Sequence, residues 1–156
     1  NEFHLEAVGT GRWNLYAYHE SPSFRHEKAV RQPGEPTASR WTYRTGDRKQ
    51  PLQFKLRVTG DGGGITNPKI ELDRSVSISY VVELSPGQTL LCEGTSTARV
   101  YDEKGRQIRT VQASGPIPLV TPGIHEIRFD CSFKTPGSAE AVLTCKTKGE
   151  GVELIP

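Results

Sequence analysis

Residues 52–58 read Leu52-Gln53-Phe54-Lys55-Leu56-Arg57-Val58. Apolar side chains occupy every second position, and polar or charged side chains occupy the positions between them. Successive side chains of a β-strand point to opposite faces of the sheet. The segment therefore predicts a strand with one face in a hydrophobic core and the other face in solvent.

The segments on either side of this strand repeat the same organisation. Short alternating segments are separated by turn sequences, in which Pro presets one corner and Gly supplies the positive φ of the next. The turn sequences are Thr59–Gly64, Ser85–Gly87, Asp102–Gly105, Thr121–Gly123 and Thr135–Ser138. Short strands between closely spaced turns are typical of an all-β sandwich or barrel.

Eleven segments are predicted as strands. They are Phe3–Val8, Arg12–His19, Arg40–Arg44, Leu52–Thr59, Lys69–Leu72, Ser75–Leu84, Gln88–Cys92, Ala98–Tyr101, Gln107–Ala113, Gly123–Phe133 and Ala139–Lys146. Residues 21–40 are predicted to be a long loop, with modest helical potential limited to Ser21–Arg31. Prolines at 22, 33 and 36 bracket that segment.

The length of 156 residues predicts one domain over residues 1–156. No apolar run approaches the roughly 18 residues of a membrane-spanning helix. The chain also lacks an N-terminal basic segment followed by an apolar stretch, so no signal peptide is predicted. The chain starts at Asn1 and contains no Met, so we expect it to be a module of a longer protein.

The charge balance does not favour a nucleic-acid partner. The net charge is +2 and the isoelectric point is about 8.5, below the value above about 9 that is usual for nucleic-acid-binding domains. One segment, Arg40–Lys49, carries four basic residues against Asp47. It is interpreted either as a solvated hairpin or as a patch that contacts an anion.

Three cysteines, Cys92, Cys131 and Cys145, cannot all pair within one chain. Cys131 and Cys145 fall in the apolar register of their strands, which favours buried thiols that act as small hydrophobic side chains. One disulfide with a free thiol is the alternative. No C-x-x-C spacing supports a zinc or thioredoxin-like site.

The sequence contains no catalytic fingerprint. The Gly-rich segment Thr59–Gly64 lacks the Lys-Ser/Thr pair and the following helix of a phosphate loop, so a simple loop between strands is expected. No cofactor is predicted. The alternative is a structural Ca²⁺ near the turns at Asp61, Asp102 or Asp130, although no EF-hand spacing is present.

The distribution of aromatic residues is the most distinctive feature. Both Trp and three of the five Tyr lie within the first 43 residues, close to basic, amide and carboxylate side chains. Flat aromatic rings stack on the apolar C–H faces of sugars, whereas the polar neighbours hydrogen-bond sugar hydroxyls. Packing in the core or at its rim is the alternative for each ring. The predicted stacking residues are Trp13, Tyr16, Tyr18, Trp41 and Tyr43. The predicted hydrogen-bonding residues are Arg12, Asn14, His19, Glu20, Arg40 and Arg44.

Residues 67–133 add a resemblance to known proteins. Asn67–Leu72, Val82–Gly94, Ala98–Gly105 and Pro122–Phe129 resemble the β-sandwich (jelly-roll) accessory domains of bacterial polysaccharide-degrading enzymes. Many of these domains are carbohydrate-binding modules. The resemblance implies an antiparallel two-sheet sandwich of jelly-roll type, an extracellular or cell-surface location and an attached catalytic domain. It implies no binding residue, because the aromatic residues lie outside the matched segments.

Three functions are therefore considered. The first is a non-catalytic module that binds a polysaccharide or oligosaccharide. The second is a small lyase or glycoside hydrolase domain, for which Arg12, Tyr18, His19, Arg25 and His26 could supply lyase chemistry. The third is a structural sandwich that packs on a catalytic domain.

Overall fold

The computed structural model describes residues 2–9, 12–19, 28–34, 37–43, 49–134, 138–148 and 152–154, with side chains in 30–34, 49–134 and 138–146. These residues form sixteen strands and no helix. The strands are β1 (Glu2–Gly9), β2 (Arg12–His19), β3 (Lys28–Arg31), β4 (Thr37–Tyr43), β5 (Gln50–Pro51), β6 (Gln53–Thr59), β7 (Ile65–Leu72), β8 (Val76–Tyr80), β9 (Glu83–Leu84), β10 (Thr89–Cys92), β11 (Thr97–Tyr101), β12 (Gln107–Ser114), β13 (Leu119–Val120), β14 (Gly123–Phe133), β15 (Glu140–Lys148) and β16 (Val152–Leu154).

The strand pairings are antiparallel. The main sheet follows the order β1-β2-β15-β6-β10-β11-β12-β8-β7-β14-β4, while β16 pairs with β2, β3 with β15, and β9 with β7. The two short strands β5 and β13 form a separate ladder. The prediction of an all-β, antiparallel fold is confirmed.

The main sheet is so strongly curved that it is nearly barrel-shaped, and Arg31 on β3 links two distant parts of it. Arg31 Nη1 donates to the carbonyl oxygen of Cys131 at 2.6 Å, and Nη2 lies 3.1 Å from Asp130 Oδ1. The guanidinium also lies 5.5 Å from the ring centroid of Phe133. Because β3 pairs with β15 while all three contacts are on β14, this one side chain connects strands far apart in the sheet order.

The core fills the inside of the curve. Phe54, Leu56 and Val58 of β6 have no exposed side-chain surface, as the alternation predicts. Phe54 meets Tyr80 of β8 edge to face, with ring centroids 5.9 Å apart, which is a favourable geometry for aromatic pairs. Side chains from distant strands therefore interlock in one core.

The three cysteines belong to this core. Cys92, Cys131 and Cys145 are all buried free thiols, so the interpretation as small hydrophobic side chains is confirmed and the alternative with a disulfide is wrong. Burial raises the pKa of the Cys145 thiol to about 12, with a smaller contribution from Cys92. The neutral thiol form is the one expected in an apolar interior.

Most predicted strands are confirmed, and two have the predicted bounds, Arg12–His19 and Gly123–Phe133. The predicted strand Ser75–Leu84 is wrong in its continuity, because the chain leaves β8 after Tyr80 and resumes as β9 against the start of β7. Val81, in the gap, is 82% exposed.

The predicted long loop at 21–40 is wrong in part. Lys28–Arg31 forms β3 on the edge of β15, and β4 already begins at Thr37. The helical potential of Ser21–Arg31 is overridden where Lys28–Arg31 finds backbone partners on β15, since strand formation depends on tertiary pairing more than on local propensity.

Candidate functional site

The predicted ligand-binding residues lie on two strands that do not pair with each other. β2 carries Arg12, Trp13, Asn14, Tyr16, Tyr18 and His19, and β4 carries Arg40, Trp41 and Tyr43. β2 pairs with β1, β15 and β16, whereas β4 pairs with β14. Glu20, Arg44, Arg25 and His26 lie outside the described residues, as does most of the basic segment Arg40–Lys49 beyond Tyr43.

The backbone register gives each of these positions its neighbours. Trp13 lies opposite Ala7 on one side and Leu154 on the other, and Trp41 lies opposite His125. Backbone pairing alone does not bring the two tryptophans together. A shared binding surface formed by β2 and β4 therefore stays a prediction.

A different site is visible among the described side chains. The outer face of β15, β6, β10 and β11 holds a groove of about 330 Å³, at the lower end of the roughly 300–1,000 Å³ of small-ligand sites. The lining residues are Lys55, Arg57, Gly87, Thr89, Leu91, Glu93, Tyr101, Asp102, Glu103, Gly105 and Lys146. We call this site the outer groove.

The outward-facing residues of the strands form the floor of the outer groove, because successive side chains of a strand alternate between its two faces. On β6 the residues between the core positions, Lys55 and Arg57, point away from the core. Arg57 lies opposite Thr89, and Thr89 lies opposite Tyr101, so a single row crosses three strands. Cross-strand neighbours on one face lie about 5 Å apart. One small ligand can therefore touch all three strands.

Two turns form the rim at one end of the outer groove. The β9–β10 turn contributes Gly87, where a Cβ would lie 3.2 Å from the Cβ of Glu103 in the β11–β12 turn. Since the two turns already touch, any larger residue at Gly87 would have to push Glu103 aside. The positive φ of 91° at Gly87 further favours Gly.

Asp102 fixes the shape of the second turn. Its Oδ1 accepts hydrogen bonds from the backbone N–H groups of Lys104 and Arg106, both at 2.9 Å, and Oδ2 accepts one from Arg106 Nε at 3.1 Å. The hydrogen bond from the Arg106 backbone, followed by those from Lys104 and the Arg106 side chain, lowers the pKa of Asp102. Both carboxylate oxygens are therefore engaged within the turn.

Among the described residues that line the outer groove, Tyr101 is the aromatic one, and it is half-buried. A hydrogen bond with Tyr101 is the main cause of the raised pKa of Arg99, with the charge of Glu93 as a second cause. Arg99 precedes Tyr101 by two residues on β11, and Glu93 lines the outer groove together with Tyr101. An aromatic face with hydrogen-bonding groups around it is the combination that sugar recognition needs.

A second, shallower cavity of about 830 Å³ lies between β12 and the segment of β9. Arg109 Nη2 donates to the carbonyl oxygen of Glu83 across this gap, and Lys134 Nζ lies 3.0 Å from Glu83 Oε2. Arg109 and Glu83, the charged residues among its described lining, are thus both engaged, Arg109 by a backbone carbonyl and Glu83 by Lys134. Among the residues whose side chains the structure describes, no aromatic one lines this cavity.

A structural Ca²⁺ is considered near the separate turns at Asp61, Asp102 and Asp130. In the part of the chain that the structure describes, no three His, Cys, Asp or Glu side chains form a group that could hold a metal ion. Asp102 is engaged by its own turn and Asp130 by Arg31. The Ca²⁺ site stays an untested prediction.

Sequence reasoning missed Tyr101 and the outer groove. Lys55 and Arg57 were recognised only as the solvent-facing residues of the 52–58 strand. The alternation of the sequence predicts that Lys55 and Arg57 share the outward face of their strand. Their position near Tyr101, however, depends on β10 lying between β6 and β11 in the sheet.

Comparison of the chain with protein-family models and with curated proteins finds no match. The described residues contain no helix of the length and apolar character required to cross a lipid bilayer.

Proposed function

We propose that the chain is a non-catalytic carbohydrate-binding module with a jelly-roll sandwich fold, attached in a longer extracellular polypeptide to a catalytic domain that degrades polysaccharide. The observation that carries the proposal is the outer groove, where half-buried Tyr101 lies beside strand-borne hydrogen-bonding side chains. The aromatic residues of β2 and β4 are proposed as a second group of stacking residues.

The shape of the outer groove suits a saccharide. Strands support the floor, so binding requires little reorganisation of the protein, and a preformed site loses less free energy on binding. Arg57 and Thr89 present donors on adjacent strands, and Lys55 lies two residues from Arg57 along β6. The hydroxyl groups of a sugar are distributed around its ring. Several donors spread over the floor of the outer groove can therefore bind more of these hydroxyls than one deep polar contact could.

The state of Asp102 favours binding over catalysis by that carboxylate. Glycoside hydrolysis commonly uses two carboxyl groups that face each other across the scissile bond. In the outer groove, Asp102 is held by three hydrogen bonds of its own turn. That arrangement builds the rim and leaves Asp102 unsuited to transfer protons.

Affinity electrophoresis through gels that contain a panel of polysaccharides tests the proposal. We expect retardation by at least one polysaccharide, lost in Tyr101→Ala and largely kept in Tyr101→Phe, because the phenyl ring still stacks. Trp41→Ala and Tyr18→Ala test the strands predicted from sequence. Unchanged retardation in all three alanine variants, with the fold intact by circular dichroism, would contradict the proposed site.

A parallel assay of reducing ends and of unsaturated-uronate absorbance tests for enzymatic activity. We expect no turnover. Turnover that disappears in a Tyr18→Phe or His19→Ala variant would replace the binding function by a catalytic one.

A further inference from the structure

We infer that the outer groove binds the end of a saccharide chain, with the terminal sugar placed against the two turns that form its rim. The inference rests on the proposed function and names the class of ligand, which is chain termini rather than chain interiors. Two features of the rim support it: its position across one end of the outer groove, and the carboxylate of Glu103.

The β11–β12 turn stands at the end of the outer groove. Asp102 and Glu103 are neighbours in the chain, yet both line the outer groove, as does Gly105. Adjacent residues of a flat strand face opposite sides of the sheet. The three turn residues can therefore all face the outer groove only because the chain bends at this turn toward the outward face.

The β9–β10 turn completes the closed end. The register that places Thr89 opposite Tyr101 continues to Gly87 and Glu103, two positions further along the chain in each case. A Cβ at Gly87 would lie 3.2 Å from the Cβ and 3.5 Å from Oε2 of Glu103. The Glu103 side chain therefore lies against Gly87 and closes the space between the two turns. We call Gly87 and Glu103 the end wall.

The end wall is fixed before any ligand binds. Gly87 N–H donates to the carbonyl oxygen of Val58 at 2.7 Å, and Val58 N–H donates to the carbonyl oxygen of Gln88 at 3.1 Å. In the other turn, Gly105 N–H donates to the carbonyl oxygen of Asp102 at 3.0 Å, in addition to the hydrogen bonds of the Asp102 carboxylate. Because both turns are held in this way, a ligand meets a preformed barrier and loses little free energy in ordering it.

The carboxylate of Glu103 distinguishes a terminal sugar from an internal one. An ionised carboxylate only accepts hydrogen bonds, so it needs an O–H group on the sugar that it meets. A terminal sugar has a free hydroxyl at the position where an internal sugar has the oxygen of a glycosidic bond, which carries no hydrogen. The end wall can therefore bind a chain terminus through this hydroxyl, whereas an internal sugar offers it no donor at that position.

The rest of the polymer has room to leave the outer groove. Arg57 on the floor is exposed, and Thr89 and Leu91 are half-buried, so the outer groove is open to solvent above its floor. Tyr101 lies two residues from Glu103 and can stack on the terminal ring. The volume of about 330 Å³, at the lower end of the range for small ligands, suits the end of a chain better than a long internal segment.

The test varies the number of chain ends at a constant mass of sugar. Xylan, mannan, amylose and dextran, each intact and after limited acid hydrolysis, are compared by isothermal titration calorimetry with the chain. For a polysaccharide that binds, fragments with about ten times as many ends should bind about tenfold more tightly per gram of sugar, by mass action. Equal or weaker binding per gram after hydrolysis would overturn the inference.

Variants assign the preference to the end wall. Glu103→Ala removes the carboxylate and the side chain that closes the space between the turns. We expect affinity for the fragments to fall about tenfold, as for the loss of one charge-assisted hydrogen bond, and the advantage of fragments over intact polymer to disappear. Glu103→Gln should keep part of the advantage, because its amide oxygen still accepts a hydrogen bond. Lys104→Ala is the matched control and should keep all of it, since Lys104 is an exposed residue of the same turn and does not line the outer groove.

The possible failures are distinguishable. Binding per gram that is unchanged by hydrolysis and lost in Tyr101→Ala would overturn the preference for chain ends and leave the proposed function standing. A preference that Glu103→Ala leaves unchanged, or that Lys104→Ala lowers to the same extent, would overturn the assignment to the end wall. The absence of binding by every saccharide would overturn both proposals.

Discussion

Two turns of the molecule begin with aspartate, and they are built in different ways. The β7–β8 turn contains Asp73 and Arg74, both with positive φ of 53° and 56°, as in a type I′ hairpin turn. The β11–β12 turn starts at Asp102 and reaches positive φ only at Gly105. The first turn therefore places two non-Gly residues in a conformation that such residues rarely adopt. In the second turn the positive φ falls on a Gly, which adopts it without strain.

Their hydrogen bonds explain the difference. The Asp73 carboxylate reaches β14, where Oδ1 accepts from the backbone N–H of Glu126 at 2.8 Å and Oδ2 lies 2.6 Å from Nδ1 of His125. The other ring nitrogen, Nε2, donates to the carbonyl oxygen of Thr121 at 2.5 Å. The Asp102 carboxylate, in contrast, has its partners in the described part of the chain within its own turn.

The β7–β8 turn is thus held by tertiary contacts with β14, whereas the β11–β12 turn is held by hydrogen bonds between its own residues. His125 is 8% exposed, so Asp73 satisfies a buried polar group, and unsatisfied buried groups are costly. Asp102 accepts hydrogen bonds from exposed N–H groups of Lys104 and Arg106, which water could bind in its place. Similar residue changes in the two turns should therefore have very different effects.

Asp73→Ala should cause the largest loss of stability. It removes the partners of His125 Nδ1 and of the Glu126 N–H and places Ala at a positive φ. We expect the free energy of unfolding to fall by about 3 kcal/mol, as measured by urea denaturation. Asp73→Asn is the control, because Asn tolerates positive φ and still accepts from Glu126; it should lose about half as much. An equal loss in both variants would mean that the contact with Glu126 contributes little.

Gly105→Ala should have an intermediate effect. A Cβ at this position meets no atom within 4 Å, so the only cost is the positive φ of 77°. We expect a loss of about 1 kcal/mol in urea denaturation. A loss as large as that of Asp73→Ala would show that the β11–β12 turn also depends on contacts beyond itself.

Asp102→Asn should have the smallest effect, and that effect should depend on pH. Hydrogen bonds within the turn lower the pKa of Asp102 in the folded chain. The ionised carboxylate therefore stabilises the fold above the pKa of the unfolded chain, about 4, and this contribution is lost as the pH falls through the folded-state pKa.

The difference in urea midpoint between Asp102→Asn and the unchanged protein should thus be present at pH 7 and close in acid. A difference that grows as the pH falls would contradict the assigned direction. Sugar binding measured in the same variant shows whether the rim of the outer groove depends on this turn.

Much of the fold was predictable because its signals are local. The alternation at 52–58 gave the buried face of β6, and the turn at Asp102–Gly105 was recognised from its residues. The short strands β5, β13 and β16 were missed. β5 and β13 are only two residues long and β5 includes Pro51, a residue uncommon inside strands.

The candidate site was less predictable. The aromatic residues chosen from sequence are close in the chain, yet they fall on β2 and β4, which do not pair. Tyr101 carries no distinguishing signal in the sequence, because its partner Arg57 is 44 positions away and is reached only across β10.

By itself the sequence determined the strand type, the face that each well-patterned strand buries and the turns closed by their own side chains, because these depend on residues within a few positions of each other. Only the tertiary structure decided which strands are neighbours. It thereby placed Asp73 against His125 and assembled cations from β6 and β15 with Tyr101 from β11. Those juxtapositions depend on long-range backbone pairing, which the local pattern does not encode.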